Sequence, residues 1–158
     1  NDALAEADRA HEAGRLDEAI ALYRAALAIT PHAAEAWYGL GAAVQSLGAQ
    51  GEAARALARA IACGADAAPV RLALGRARFA LGEVEAALDQ FAQIRDTPDA
   101  AHGVMALMNK AVAIPGDPRA DNASVLRARR DWARAEAASI KAPPRAARRK
   151  RCLLYTSD

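Results

Sequence analysis

The chain has 158 residues, room for one ordinary domain, and 21 basic against 19 acidic residues leave a net charge of +2. Its apolar share of 53% supports a packed core, yet only 4% of residues are aromatic and about three in ten are alanine. Alanine favours helix and lets helices approach closely, and no stretch alternates with period two, so a sheet protein is excluded and an all-α chain is expected.

The predicted helices pair along the chain. The first runs from about Asp2 to Ala13 and the second from Leu16 to Ile29. Thr30-Pro31 ends the second, because proline disfavours helical geometry in the residue before it. The next pair covers about Ala34 to Leu47 and Gly51 to Ala62, with Gly64 as the C-cap. A third pair covers about Pro69 to Leu81 and Val84 to Ile94, stopped by Asp96-Thr97-Pro98. Pro69 suits a first helical turn, where its missing N–H costs nothing.

These pairs are copies of one another. Gly14, Gly48 and Gly82 lie 34 residues apart. Counted from each glycine, Ala19, Ala53 and Ala87 coincide, then Tyr23, Leu57 and Phe91, then Ala26, Ala60 and Ile94. Leu40-Gly41 matches Leu74-Gly75 in the same way. A fixed period of this length means stacked units without one central core. The glycine serves a tight turn, the alanines a close helix crossing, and the large residues fill the gap toward the next unit.

Trp37, Leu40, Gly41, Gly48, Ala53, Leu57 and Ala60 resemble the tetratricopeptide repeat. Ala19, Tyr23, Ala26 and Pro31 match its later half in the first unit, and Leu74, Gly75, Gly82, Ala87 and Phe91 match it in the third. The first unit departs from the pattern with Glu6-Ala7 where Leu-Gly is usual, and the second with Ala65 where proline closes the repeat. The resemblance implies a right-handed helix-turn-helix solenoid of three units, 1–33, 34–67 and 68–101. It also implies a scaffold that binds a protein or peptide in a concave groove and performs no catalysis.

Beyond Ala101 the period breaks. Asp99 is placed to cap a seventh helix, about Ala100 to Ala113, with Val104, Met105, Met108 and Val112 on its apolar side. Pro115-Gly116-Asp117-Pro118 is a turn. Asn122 is placed to cap an eighth helix, about Ala123 to Ile140, with Val125, Leu126, Trp132, Ala133 and Ile140 facing inward. Residues 102–140 thus read as a helix pair capping the array.

Residues 141–151 carry six cations and no acid beside Pro143-Pro144 and read as a solvated linker, contact with phosphates or anionic lipid being the alternative. Up to Ile140 acids outnumber bases, so neither a nucleic-acid nor a membrane partner is expected. The last seven residues, Cys152-Leu153-Leu154-Tyr155-Thr156-Ser157-Asp158, resemble the translation of a transposon adaptor used in sequencing libraries. With no methionine at Asn1, the chain reads as a fragment with a non-native tail. Cys63 and Cys152 form no disulfide framework or zinc spacing, and no signal-peptide pattern or membrane-length apolar run is present. A reducing cytoplasm is the expected setting.

No catalytic or cofactor site is expected. His11, His32 and His102 are scattered, and Gly39 and Gly41 sit within a helix rather than in a phosphate-cradling loop. Helical spacing nominates groove residues on the first helix of each pair: Leu4, Asp8 and His11, then Tyr38, Ala42 and Gln45, then Leu72, Arg76 and Phe79. Repeats that clamp chaperone C-termini carry cations and asparagine where this chain has Leu4 and Asp8. The asparagine ladder of protein O-GlcNAc transferases is replaced by Ala5, Gly39 and Ala73. Residues 113–151 nevertheless resemble the segment that leads into the catalytic region of bacterial SPINDLY-like O-GlcNAc transferases. That likeness implies the alternative reading, a recruiting arm whose downstream glycosyltransferase domain is missing from the chain.

Overall fold

The computed structural model describes residues 2–94 and 100–140. Among them, eight α-helices follow one another: α1 Asp2–Glu12, α2 Leu16–Ile29, α3 Ala34–Ser46, α4 Gln50–Ala62, α5 Ala68–Ala80, α6 Val84–Ala92, α7 Ala100–Ala113 and α8 Asn122–Ser139. A single 3-10 turn, Ile114–Gly116, separates the last two. The expected helix stop at Asp96-Thr97-Pro98, the Asp99 cap, the basic linker and the tail lie outside the described residues.

The first three helix pairs are closed by the same backbone device. Gly14, Gly48 and Gly82 have φ of +75°, +82° and +80°. In each case the glycine N–H and the N–H after it bond back to the helix just ended: Gly14 to His11 and Arg15 to Ala10, Gly48 to Gln45 and Ala49 to Val44, Gly82 to Phe79 and Glu83 to Arg78. This is the Schellman arrangement, and it needs a left-handed residue. A Cβ at these glycines would meet nothing within 4 Å, so the requirement is conformational, not spatial. At their N-termini α2 to α6 have no side-chain cap, the cap positions being Arg15, Ala33, Ala49, Ala67 and Glu83. Tertiary packing therefore holds these starts in place.

Ala19, Ala53 and Ala87 are fully buried where paired helices cross, and Tyr23, Leu57 and Phe91 fill the interior beyond them. Two other glycines answer to these plugs. A Cβ on Gly41 would lie 2.7 Å from Leu57 Cγ, and one on Gly75 would lie 2.4 Å from Phe91 Cε1. Full burial of one such side chain contributes about 1.5–3 kcal/mol, so the plugs carry more of the cohesion than the alanines around them. In the first unit Ala7 stands where Gly41 and Gly75 stand later. The Tyr23 ring lies instead against Gly39 of the next helix, where a Cβ would be 2.3 Å from Cζ.

Two expectations for the last pair change. The cap of α8 is Asp121, not Asn122: Ser124 N donates to Asp121 Oδ1 at 2.7 Å, and Asp121 N donates to Ser124 Oγ at 2.9 Å, a reciprocal capping box. The inward faces are also turned. On α7, Ala106, Ala111 and Ala113 are buried, whereas Met105, Met108 and Val112 are exposed and Val104 is half-buried. On α8, Ala128 is buried beside Val125 and Trp132, while Leu126, Ala133 and Ile140 face out. Alanines rather than the larger side chains make these contacts because the helices approach closely there.

Candidate partner-binding groove

Helices α1, α3, α5 and α7 each touch the next member of their own series. Among the described residues α2, α4, α6 and α8 make no such contact with one another. The odd helices therefore crowd together on the inner side of the bend and the even helices fan apart on the outer side.

The register of α7 follows from its packing. Ala106 and Ala113 face the third pair, in a cluster with Leu72, Ala87, Phe91 and Ile94, as Val70 and Ala77 of α5 face the second. Ala111 packs toward Ala128 on α8, as Gly75 packs toward Phe91 on α6. Each of these α7 residues stands 36 positions after its α5 counterpart, two more than the sequence period. Helix α7 thus continues the inner layer, and Met108 and Val112 occupy the places of Leu72 and Arg76.

The nominated residues divide. Asp8 and Arg76 are exposed, Phe79 is 38% exposed, and His11, Tyr38, Ala42 and Gln45 are half-buried. Leu72 is only 3% exposed, because α7 lies over it and packs Ala106 into the same cluster. Leu4 turns to the edge of the array, lining an apolar hollow of about 140 Å³ with Ala26, Ile29 and Ala36. Gln45 reaches across to α5 and donates from Nε2 to the Ala73 carbonyl at 3.0 Å, which ties two inner helices together.

The first unit concentrates polar groups. Tyr23 sends its hydroxyl from α2 to Asp8 Oδ1 at 2.6 Å, and His11 meets the Tyr23 ring edge-on with centroids 6.5 Å apart. Burial, then the Asp8 hydrogen bond, then the charges of Asp8 and Glu12 raise the Tyr23 phenol above its ordinary 10.0, with a small contribution from Tyr38. Asp8, Glu12, His11 and Tyr38 thus surround one phenol. Sequence reasoning missed Glu12, although it lies one turn beyond Asp8, and missed the contribution of α7 because the two extra residues hide its register.

Among the described residues no group of three His, Cys, Asp or Glu side chains is arranged to hold a metal ion. No described helix is long and apolar enough to cross a membrane. Chemically, the inner face offers charges, one amide bridge and apolar surface, which suit non-covalent recognition.

A family model described as TPR repeat matches residues 7–48. Among solved structures, a Thermobaculum terrenum O-GlcNAc transferase mutant is 27% identical with a TM-score of 0.70, the match covering 84% of this chain and 25% of that one. The chain therefore spans about a quarter of that enzyme's length. A crystal structure of MamA is 21% identical with a TM-score of 0.74, covering 85% of this chain and 75% of that one. The Yersinia enterocolitica type III secretion translocator chaperone SycD is 14% identical with a TM-score of 0.55, covering 87% and 83%. These last two share the fold. No curated protein matches the chain.

Proposed function

We propose that the chain is a tetratricopeptide-repeat scaffold, as the match of residues 7–48 to the TPR repeat supports, and that its partner protein lies along the inner face of α1, α3, α5 and α7. The observation that carries this reading is the run of side chains left accessible there: Asp8, Tyr38, Ala42 and Arg76 fall on successive inner helices at helical spacing. Units 1–33, 34–67 and 68–101 supply most of the groove, and 102–140 adds the inner face of α7 and closes its end. The role is recruitment without chemistry, in a cytoplasmic setting. A photo-crosslinking amino acid at Ala42 should capture a partner from source-cell extract, whereas the same group at Ala25, on the outer α2, should not. Tyr38→Ala should weaken that capture while helicity is kept. Equal capture from Ala25 would remove the groove from the account.

A second reading has its own support. Identity of 27% across 84% of this chain to an O-GlcNAc transferase structure fits a recruiting arm joined to a glycosyltransferase. Reading the source DNA across Arg151 with adaptor sequence trimmed decides it. A frame that continues into an α/β region, strand first, supports the arm. A stop codon soon after Arg151 leaves a free-standing adaptor.

A further inference from the structure

The inner face changes character along its length. At one end Asp8 and Glu12 are both exposed, one turn apart on α1, and no described cation lies within ion-pairing distance of either. Like charges at this spacing destabilise a helix, so a cation placed between them relieves a cost already present. Tyr38, on the next inner helix, acts on the same Tyr23 phenol as Asp8 and Glu12 and is half-buried, and an aromatic ring there suits such a cation. Two units on, Arg76 is exposed, and its side chain makes no hydrogen bond or ion pair among the described residues. Beyond it, Met108 is 37% exposed and Val112 60% exposed, at the register that Leu72 and Arg76 hold on α5. Methionine in an open apolar patch suits an adaptable contact.

We propose that the groove takes an extended segment of a partner protein in one orientation. A lysine or arginine sits against Asp8 and Glu12 beside Tyr38, a carboxylate against Arg76, and apolar side chains on Met108 and Val112. The proposal rests on the groove reading above and adds the chemistry of its occupant. Helices pack about 8–10 Å apart, so the path from α1 to α7 is about 24–30 Å. An extended chain covers it with about seven to nine residues, at about 3.3–3.6 Å each. The cation and the carboxylate of the partner then lie about four to six residues apart, with the apolar pair about two or three residues further on.

A random 16-residue phage-displayed peptide library, selected at low salt against the intact chain, tests this directly. The enriched peptides should carry lysine or arginine, then an acid, then apolar residues at those separations. The best peptide, made synthetically, should lose affinity about three- to tenfold on Glu12→Lys. Replacing its cation by glutamate should restore binding to that variant alone. Asp8→Lys also removes the Tyr23 hydrogen bond, so Glu12→Lys, which breaks no side-chain hydrogen bond or ion pair among the described residues, is the decisive change. Met108→Ser with Val112→Ser should weaken binding independently of salt. Enriched peptides without this order that still lose binding on Tyr38→Ala would overturn the orientation and leave the groove standing. Peptides indifferent to every inner-face change would overturn both, and a library yielding no binder would overturn the proposal.

Discussion

The Tyr23 hydroxyl donates its 2.6 Å hydrogen bond to Asp8 across the first helix pair, so a ring buried in the core ends at the charged rim of the groove. The phenol is held above its ordinary 10.0, first by burial and then by the Asp8 carboxylate. An unfolded chain releases this proton from about pH 10 upward while the folded chain keeps it, so folding stability falls as pH rises past that point. Tyr23→Phe should cost about 0.5–1.5 kcal/mol at neutral pH and should flatten the loss of stability above pH 10. Thermal melts of both proteins from pH 7 to 11 check this. Parallel curves would show that the phenol is not the group responsible.

Glycine to alanine should have opposite signs at two positions. At Gly103, inside α7, a Cβ meets nothing within 4 Å, so Gly103→Ala should stabilise by about 0.5–1 kcal/mol through helix propensity. At Gly41 the same Cβ comes 2.7 Å from Leu57 Cγ and 3.3 Å from the Leu57 backbone nitrogen. Overpacking of about 1–3 kcal/mol should outweigh the propensity gain there. Chemical denaturation of the two variants gives the comparison, and stabilisation at both sites would contradict the close approach.

Ala53 is fully buried where α3 and α4 cross. Ala53→Phe should force that pair apart and cost about 1–3 kcal/mol or more. An unchanged melting temperature would count against the helix pairing.

Arg71 holds three acceptors. It donates to both carboxylate oxygens of Asp66, at 2.5 and 2.9 Å, and to Gln90 Oε1 at 3.0 Å. Gln90 is buried, so Arg71→Ala leaves that oxygen without a donor and should cost about 1–3 kcal/mol. Asp66→Asn should cost less than about 1 kcal/mol, because the Asp66 side chain is 55% exposed. The Arg71 hydrogen bond lowers the Asp66 carboxyl below its ordinary 3.8, so its share of stability is present above that pH and lost on acidification. Melting curves of the two variants at pH 7 and pH 3 test both the order and the sign.

Much of the candidate site was legible early. Asp8, Tyr38 and Arg76 follow from helical spacing within a known period, and each keeps surface on the inner layer. Leu72 and Gln45 do not follow from it. Whether a side chain on α5 or α3 is open depends on what the next inner helix brings to it, and spacing within one helix carries no such information.

Local chemistry in the sequence settled the helices, their pairing and their turns. Propensity places α2 and α7 within their observed limits, and a left-handed glycine recurs where each of the three repeat pairs closes. These features depend on neighbours a few residues away. Tertiary structure alone decided the faces. Ala7 in a glycine's place accompanies a Tyr23 ring lodged at Gly39, and the 36-residue step turns Met108 and Val112 outward where the apolar pattern of α7 suggested core. An α-helix turns 100° per residue, so a two-residue shift swings its surface by about 200°. Such a shift leaves the helix intact while exchanging what it buries for what it shows.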